Sequence, residues 1–293
     1  MRFVHFESGG RAGLGVQDEN GTVRGFTHSD GGHIPRSDQL PSLDKEALAG
    51  VARSLKDAPV LQDGSFEYRP PIARPGKIIC VGLNYTDHTR ESGYEQPNYP
   101  TLFPRFATSL VGHRDPIVRP LASDSLDFEG ELVAVIGRGG RHIARATALD
   151  HVFGYSVFND GSVREYQFKS PQWTVGKNFD STGAFGPALV TADELPGGGK
   201  GLRLETRLNG ETVQSASTDD MIFPIAEVIA LVSEAVTLEP GDLIVSGTPS
   251  GIGWARDPKL LMQDGDRCEV EIEGVGLLSN PIVQEREPVR QAA

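Results

Sequence analysis

The sequence predicts a mainly β protein of the α+β class, and three observations support this. Thirty-five glycines and 20 prolines accompany 38% apolar residues among 293, which indicates a turn-rich chain. Short apolar or alternating runs bounded by Gly, Pro, Asn or Asp recur along the chain, as is typical of strands. Helical spacing of apolar residues is clear over residues 224–236 and weak over 44–56. The length allows one large domain or two modest ones.

Charge and composition restrict the partners and the compartment. Twenty-eight Lys and Arg residues stand against 40 Asp and Glu, so the net charge of −12 argues against nucleic acid or an anionic membrane as main partner. No apolar run reaches the length of a membrane span, and residues 1–3 open no signal-like segment. The two cysteines are far apart, so neither a disulfide framework nor a zinc site is expected. A cytoplasmic protein is therefore expected.

Residues 1–70 are expected to form a small N-terminal module that is rich in β structure. Residues 2–6 and 12–16 have strand-like patterns, residues 19–21 form a tight turn, and no chemistry is concentrated here. A proline-rich segment, residues 69–76, marks its end. The larger module is expected to span residues 75–283, followed by a tail at 284–293.

The larger module is organised around residues 127–160. Asp127, Glu129 and Glu131 alternate just ahead of the apolar run 132–136, so on one strand they would share a side. Gly130 leaves the opposite side bare for close approach by a backbone or a ligand. A second apolar strand, residues 155–158, ends just before Asp160.

Buried carboxylates repel one another, and a divalent cation would relieve that repulsion. An all-oxygen set suits a hard ion such as Mg²⁺, Mn²⁺ or Ca²⁺ and not zinc. The alternative for a lone Glu-x-Glu pattern is a solvated acidic strand end. The rest of the chain favours the metal.

A strand over residues 77–81 leads into a glycine turn and then into a segment that could start a helix. His88 and Glu91 would then be neighbours at positions i and i+3 of one helical face. A carboxylate beside an imidazole fixes its tautomer, as a general base requires. The alternative is an ordinary surface contact.

Later segments add one hairpin, one helix and one glycine-rich loop. Asn209-Gly210 predicts a type I′ turn between two strands, and residues 224–236 predict a helix whose apolar stripe joins the core. The loop 247–253 could present N–H groups to an anion. It lacks the Gly-Lys-Ser/Thr ending of a P-loop, which argues against nucleotide binding.

Five motifs in the larger module together resemble the fumarylacetoacetate hydrolase family, over roughly residues 75–283. They occur in the family's order: Gly82-Leu83-Asn84-Tyr85-Thr86-Asp87-His88, Phe128-Glu129-Gly130-Glu131-Leu132, Asn159-Asp160, Gly176-Lys177-Asn178-Phe179-Asp180 and Gly247-Thr248-Pro249-Ser250-Gly251. The resemblance implies a mixed β-sandwich roll with few helices, a homodimer, and an acylpyruvase-like or hydroxydienoate isomerase-like enzyme of aromatic compound breakdown.

The resemblance also implies roles for nine residues. Glu129, Glu131 and Asp160 match the metal ligands, for Mg²⁺ or Mn²⁺ with Ca²⁺ possible, whereas Asp127 matches no ligand and is expected to support them. The expected catalytic residues are His88, Glu91 and Lys177. The expected substrate-binding residues are Arg164, Gln167 and Thr248. Arg105 stands where many relatives carry Lys, which leaves substrate preference open.

The implied reaction is hydrolysis of a carbon–carbon bond in a 2,4-dioxo acid of the acylpyruvate type. The ion would bind the C1 carboxylate and C2 oxygen, His88 would activate water, and Lys177 would stabilise the oxyanion. A pyruvate enolate leaves, and the same enolate would form from a decarboxylating β-keto acid. An oxaloacetate-type decarboxylase and a hydroxydienoate isomerase therefore remain alternatives. A non-catalytic Ca²⁺-dependent binding module is a further one, but it gives His88, Glu91 and Lys177 no joint role.

Overall fold

The computed structural model describes residues 1–30 and 34–286. The strands are β1 (Arg2–Ser8), β2 (Arg11–Gln17), β3 (Val23–Thr27), β4 (Glu67–Tyr68), β5 (Ile78–Gly82), β6 (Thr101–Arg105), β7 (Leu110–Val111), β8 (Ile117–Arg119), β9 (Leu126–Asp127), β10 (Gly130–Ile136), β11 (Val152–Asp160), β12 (Ser162–Val163), β13 (Gly183–Thr191), β14 (Arg203–Leu208), β15 (Glu211–Ser217), β16 (Leu243–Val245), β17 (Arg267–Ile272) and β18 (Gly276–Gln284). The α-helices are α1 (Lys45–Lys56), α2 (Thr86–Glu91), α3 (Arg164–Gln167) and α4 (Ile225–Ala235). Short 3-10 helices occupy Ser37–Ser42, Ala107–Ser109, Arg145–His151, Ala192–Glu194, Gly197–Gly199, Thr218–Asp220 and Gly253–Ala255. The predicted mainly β class is confirmed.

One large mixed sheet forms the centre of the molecule. Its strand order is β3-β2-β1-β13-β11-β10-β16-β5-β6, with β4 paired to β1 and β7 paired to β13. All seven residues of β10 are buried, because the strand is covered on both faces. This explains why the sequence of β10 is a continuous apolar run and not an alternating one.

A second sheet, in the order β15-β14-β17-β18-β8, packs on one face of the first. The core between the sheets contains alternate residues of β10, such as Leu132 and Ala134, together with Leu204 and Val270 of the second sheet. Val133 and Val135 point to the other face, where they join a separate cluster with Cys80 and Phe158. The result is the expected β-sandwich with few helices.

The leading strands continue the large sheet. Strand β1 pairs antiparallel with β13, with Phe3 opposite Leu189. Helix α1 begins after Asp44, whose side chain caps the Ala47 N–H at 2.8 Å, and buries Leu48, Ala52 and Leu55 against this end of the sheet. The module boundary at residue 70 stays a prediction. Of the predicted tail at 284–293, residues 287–293 lie outside the described part.

Helix α4 confirms the helix expected over residues 224–236. Pro224 precedes its first turn, and Ile225, Val228, Ile229 and Val232 are buried in the core. Asn209 and Gly210 both have positive φ, 53° and 84°, as the predicted turn requires. Within residues 1–30 and 34–286, no helix combines the length and the apolar character needed to cross a bilayer.

Gly130 permits a close approach, as expected, but the neighbour is the second sheet. A Cβ at Gly130 would lie 2.2 Å from Thr206 Oγ1 and 3.0 Å from Val270 Cγ1.

We expect Gly130→Ala to lower the free energy of unfolding by ~1–3 kcal/mol through overpacking. At Gly50 in α1, the nearest atom to a new Cβ is Arg53 Nη2 at 4.0 Å. Gly50→Ala should therefore stabilise the protein by ~0.4–1 kcal/mol. Urea titration of both variants checks this, and equal effects would contradict the packing argument.

Candidate active site

The pairing of β10 with β11 brings the predicted metal ligands together. Gly130 lies opposite Asn159, and the Asp160 N–H donates to the Glu129 carbonyl at 2.8 Å. Glu129 and Glu131 flank Gly130 and therefore share one side of the chain. One carboxylate oxygen from each of Glu129, Glu131 and Asp160 lies within 4.8 Å of the others, and all three residues are buried. We call this group the acidic triad.

Three basic side chains neutralise much of this charge. Lys177 Nζ donates to Glu129 Oε2 and to Asp160 Oδ2, both at 2.7 Å. Arg164 Nη1 lies 2.6 Å from Glu129 Oε1, and Arg105 Nη1 is bonded to Asp160 Oδ1. Burial alone would raise the pKa of Glu129, but Lys177 and Arg164 hold that pKa below its usual value.

Glu131 differs from the other two, because in the described part of the chain it forms no ion pair. Its partner is the backbone N–H of Gly247. Burial, and then the charges of Asp160 and Glu129, raise the pKa of Glu131 well above its usual value. Glu131 is thus the triad member that has no cationic partner among the described residues. A hard divalent cation fits this set of carboxylate oxygens and would supply the missing positive charge.

Asp127 is not part of the triad. The continuous strand expected from Asp127 to Glu131 is wrong, because β9 ends at Asp127 and β10 begins at Gly130. The Asp127 oxygens accept from Arg164 Nε at 2.8 Å, from the Gly253 N–H at 2.9 Å and from the Trp254 N–H at 3.0 Å. Asp127 therefore fixes Arg164 and the loop beside it, in line with the expected supporting position.

His88 and Glu91 lie on α2, as predicted. His88 Nδ1 is 2.9 Å from Glu91 Oε1, and His88 is buried, so the pair is not an ordinary surface contact. The Gly251 N–H also donates to Glu91, at 2.9 and 3.1 Å from its two oxygens. Because Nδ1–H faces the carboxylate, the Nε2 lone pair is free to accept a proton. Glu91 thus joins the histidine to the loop 247–253.

A pocket of about 270 Å³ collects the predicted residues. Eight of the nine predicted site residues line it, and Asp160 lies behind them. The polar lining is His88, Glu91, Glu129, Glu131, Arg164, Gln167, Lys177 and Thr248. Five aromatic residues, which we call the aromatic wall, also line the pocket: Tyr94, Phe103, Phe168, Trp173 and Trp254. Lys177 Nζ lies 4.9 Å from the centre of the Phe103 ring, so charged and aromatic surfaces adjoin in this pocket.

Arg164 keeps one donor without an acceptor. Nε is bonded to Asp127, and Nη1 is bonded to Glu129 and, at 2.9 Å, to Gln167 Oε1. Nη2 is buried and has no partner in the described part of the chain. The Thr248 hydroxyl, in contrast, donates to the Gly130 carbonyl at 3.0 Å and accepts from Gln214 at 2.8 Å. The roles predicted for Arg164, Gln167 and Thr248 remain predictions.

Sequence reasoning missed the aromatic wall and the position of Arg105. The wall is assembled from separate segments around residues 94–103, 168–173 and 254, none of which has a distinctive local pattern. Arg105 does not line the pocket but lies behind Asp160. An arginine at a strand end does not by itself indicate a buried ion pair. Its partner here, Asp160, is known only from the structure.

Comparison with known proteins agrees with this geometry. Residues 77–283 match the family model described as Fumarylacetoacetate (FAA) hydrolase C-terminal. The chain belongs to the fumarylacetoacetate hydrolase family. It is 39% identical to oxaloacetate tautomerase FAHD2A, mitochondrial, of Homo sapiens over 298 residues, which cover 97% of this chain and 92% of that protein.

Solved structures of the family have the same fold. A fumarylacetoacetate hydrolase from psychrophilic Exiguobacterium antarcticum superposes with a TM-score of 0.83 at 35% identity, covering 97% of this chain and 100% of that one. Maleylpyruvate hydrolase from Sphingobium sp. SYK-6, in complex with manganese(II) and pyruvate, superposes with a TM-score of 0.79 at 30% identity, covering 98% and 100%. The chain is thus an enzyme of this family, with an acidic triad that could hold a metal ion.

Replacement of a triad carboxylate should weaken metal binding strongly. We expect Glu131→Gln and Asp160→Asn to abolish metal-dependent activity and to lower Mn²⁺ affinity in isothermal titration calorimetry, because each removes an anionic oxygen ligand. Glu271→Gln, on β17 and paired with Arg207, is the matched control and should bind as the wild type does. Full activity of a chelator-treated, metal-free preparation would contradict the metal site.

Proposed function

We propose that the protein is a metal-dependent tautomerase of oxaloacetate-type 2-oxo acids, which interconverts their keto and enol forms. The observation that carries the proposal is the buried Nη2 of Arg164, which has no acceptor among the described residues although Arg164 lines the pocket. A buried donor without a partner is costly, and a second substrate carboxylate would satisfy it. Oxaloacetate has such a carboxylate at C4.

Glu129, Glu131 and Asp160 would hold Mg²⁺ or Mn²⁺, since carboxylate oxygens suit both ions. When bound, the ion supplies Lewis-acid stabilisation of negative charge on the 2-oxo acid. Strict dependence on Ca²⁺ would instead favour the binding-module alternative.

His88 and Lys177 would move the protons. In the keto-to-enol direction, His88 Nε2 takes a proton from C3, and the electron pair of that C–H bond forms the C2–C3 double bond. Lys177 Nζ donates a proton to the C2 oxygen, which completes the enol. The proton on His88 returns to Lys177 through solvent, and the opposite direction reverses each step. Glu91 holds the imidazole by accepting from Nδ1 at 2.9 Å.

The names of similar proteins support this choice. Human FAHD2A is named an oxaloacetate tautomerase, and so is YisK of Bacillus subtilis (strain 168), which is 42% identical over 231 residues. These names favour oxaloacetate chemistry over the acylpyruvate hydrolysis that the sequence motifs suggested first.

Acylpyruvate hydrolysis is the second candidate. The aromatic wall of the pocket favours it, because an acyl substituent is apolar where oxaloacetate carries a charge. The same His88–Glu91 pair would then activate water for attack on C4. Decarboxylation of oxaloacetate would give the pyruvate enolate, as acylpyruvate hydrolysis does, but it would need no activated water. The homodimer and the cytoplasmic location stay predictions.

One experiment separates the first two candidates. Freshly dissolved enol oxaloacetate is followed by proton NMR with enzyme and Mg²⁺, and a panel of acylpyruvates is incubated in ¹⁸O-water with mass spectrometry of the products. We expect rapid enol-to-keto conversion and little labelled acid. Labelled carboxylic acid from an acylpyruvate, with no acceleration of oxaloacetate tautomerisation, would overturn the proposal in favour of hydrolysis.

The dyad should be essential for turnover. We expect His88→Ala and Glu91→Ala each to lower kcat by ~10²-fold or more, the usual effect of losing a general base. Binding of oxalate, which resembles the chelating end of the substrate, should survive in both variants. His28→Ala, on the leading module, is the control. Wild-type turnover in His88→Ala would remove His88 from the mechanism.

Arg164 should discriminate between dicarboxylate and monocarboxylate substrates. In Arg164→Lys the positive charge remains but the fork of donors is lost. We expect KM for oxaloacetate to rise more than KM for 2,4-dioxopentanoate, which has a ketone and no carboxylate at C4. An equal rise for both compounds would contradict a carboxylate contact at Arg164.

A further inference from the structure

Arg105 lies behind the acidic triad and makes a set of contacts that no role assigned so far explains. Its side chain is completely buried. Nη1 is bonded to Asp160 Oδ1 and donates to the Gly161 carbonyl at 3.1 Å. Nη2 donates to Thr182 Oγ1 at 3.0 Å, and Nε to Ser109 Oγ at 3.2 Å. Each guanidinium nitrogen therefore has an acceptor.

The protein leaves room for this guanidinium. Gly183 begins β13, and a Cβ there would lie 2.6 Å from Arg105 Nη2 and 2.9 Å from Cζ. On another side, Arg105 Cζ lies 5.7 Å from the centre of the Phe158 ring. A side chain that is bonded at every nitrogen and enclosed in this way has one orientation.

The contacts of Asp160 divide between its two oxygens. Oδ1 is bonded to Arg105, and Oδ2 is 2.7 Å from Lys177 Nζ, which also bonds Glu129 Oε2. Arg105 thus fixes the carboxylate from the side of the sheet, and Oδ2 is the oxygen that faces the rest of the triad. Because Arg105 does not line the pocket, it does not touch the substrate.

The side chains around the triad give the same result. Four buried carboxylates, Asp127, Glu129, Glu131 and Asp160, lie among three cationic side chains, Arg105, Arg164 and Lys177. Of these cations, Arg105 is the one that contacts Asp160 Oδ1, and it also reaches the Gly161 carbonyl. The planar fork of a guanidinium suits such paired contacts better than the single ammonium of a lysine does.

We propose that Arg105 is a positioning residue for the proposed metal centre, which holds Asp160 turned so that Oδ2 faces the ion. Any influence of Arg105 on the reaction would then pass through Asp160 and not through substrate contact. The proposal rests on the proposed metal site and is independent of which reaction the site catalyses.

The test compares Mn²⁺ affinity, by isothermal titration calorimetry, across variants of the full chain. We expect Arg105→Met to weaken Mn²⁺ binding by ~10- to 100-fold, the usual effect of losing a residue that orients a metal ligand. Arg105→Lys should recover part of the affinity, since a single ammonium supplies the charge but not the fork. The electron paramagnetic resonance spectrum of bound Mn²⁺ should differ between Arg105→Lys and the wild type, because the proposed ligand Asp160 would be held in a different orientation.

Two further variants keep the test decisive. Arg207→Met removes a partly buried arginine that is paired with Glu269 and Glu271 on the second sheet, and it should leave Mn²⁺ binding unchanged. Gly183→Ala displaces the guanidinium without removing its charge, so it should weaken binding less than Arg105→Met does. If Arg105→Met does not fold, as judged by circular dichroism, Arg105→Lys and Gly183→Ala carry the test.

Wild-type Mn²⁺ affinity in a folded Arg105→Met, or in both Arg105→Lys and Gly183→Ala, would overturn the proposal. Failure of the wild type itself to bind Mn²⁺ would overturn the metal site on which the proposal rests. Weaker Mn²⁺ binding together with unchanged KM for oxaloacetate at saturating Mn²⁺ would support a role through Asp160 alone.

Discussion

The structure depends on the burial of several carboxylates at one point of a β-sheet. Asp127, Glu129, Glu131 and Asp160 are each 5% exposed or less. Such burial is unfavourable unless every charge is paired and hydrogen-bonded. Separate elements each supply a group that pairs with one of these carboxylates. They are Arg105 from β6, Arg164 from α3, Lys177 from a loop, and several backbone N–H groups. Among the described residues Glu131 is the one triad member without a cationic partner, and a divalent cation could take that place.

The same interactions join distant segments around the pocket. Asp127 connects Arg164 to the 3-10 helix Gly253–Ala255, and Glu91 connects α2 to the preceding loop through the Gly251 N–H. The acidic triad, the histidine and the loop are therefore parts of one network of hydrogen bonds. A substitution in this network is expected to affect both metal binding and the positions of the other site residues. For this reason, the control substitutions lie outside it, on the second sheet or in the leading module.

Local patterns in the sequence were sufficient to predict several of the elements. The apolar run of β10, the stripe of α4 and the Asn209-Gly210 turn follow from spacing and φ preferences that involve neighbouring residues. The adjacency of His88 and Glu91 follows from one helical turn. These features need no knowledge of the tertiary structure.

What the sequence could not supply is long-range pairing. Arg105 and Asp160 are 55 positions apart, and nothing local to either one indicates the other. Strand β1 pairs with β13, where Arg2 lies opposite Val190. Asp127, which lies outside β10, bonds instead to Arg164 and to the Gly253 N–H, both distant in the sequence. These pairings are determined by tertiary packing and by charge compensation, and a local sequence pattern does not show either.

The proposed metal site requires that Glu129, Glu131 and Asp160 together bind one divalent ion. Anomalous X-ray diffraction from crystals grown with Mn²⁺, recorded at the manganese edge, would locate that ion. We expect one strong peak within bonding distance of an oxygen from each of the three carboxylates. A peak elsewhere, or none at saturating Mn²⁺, would contradict this account of the site.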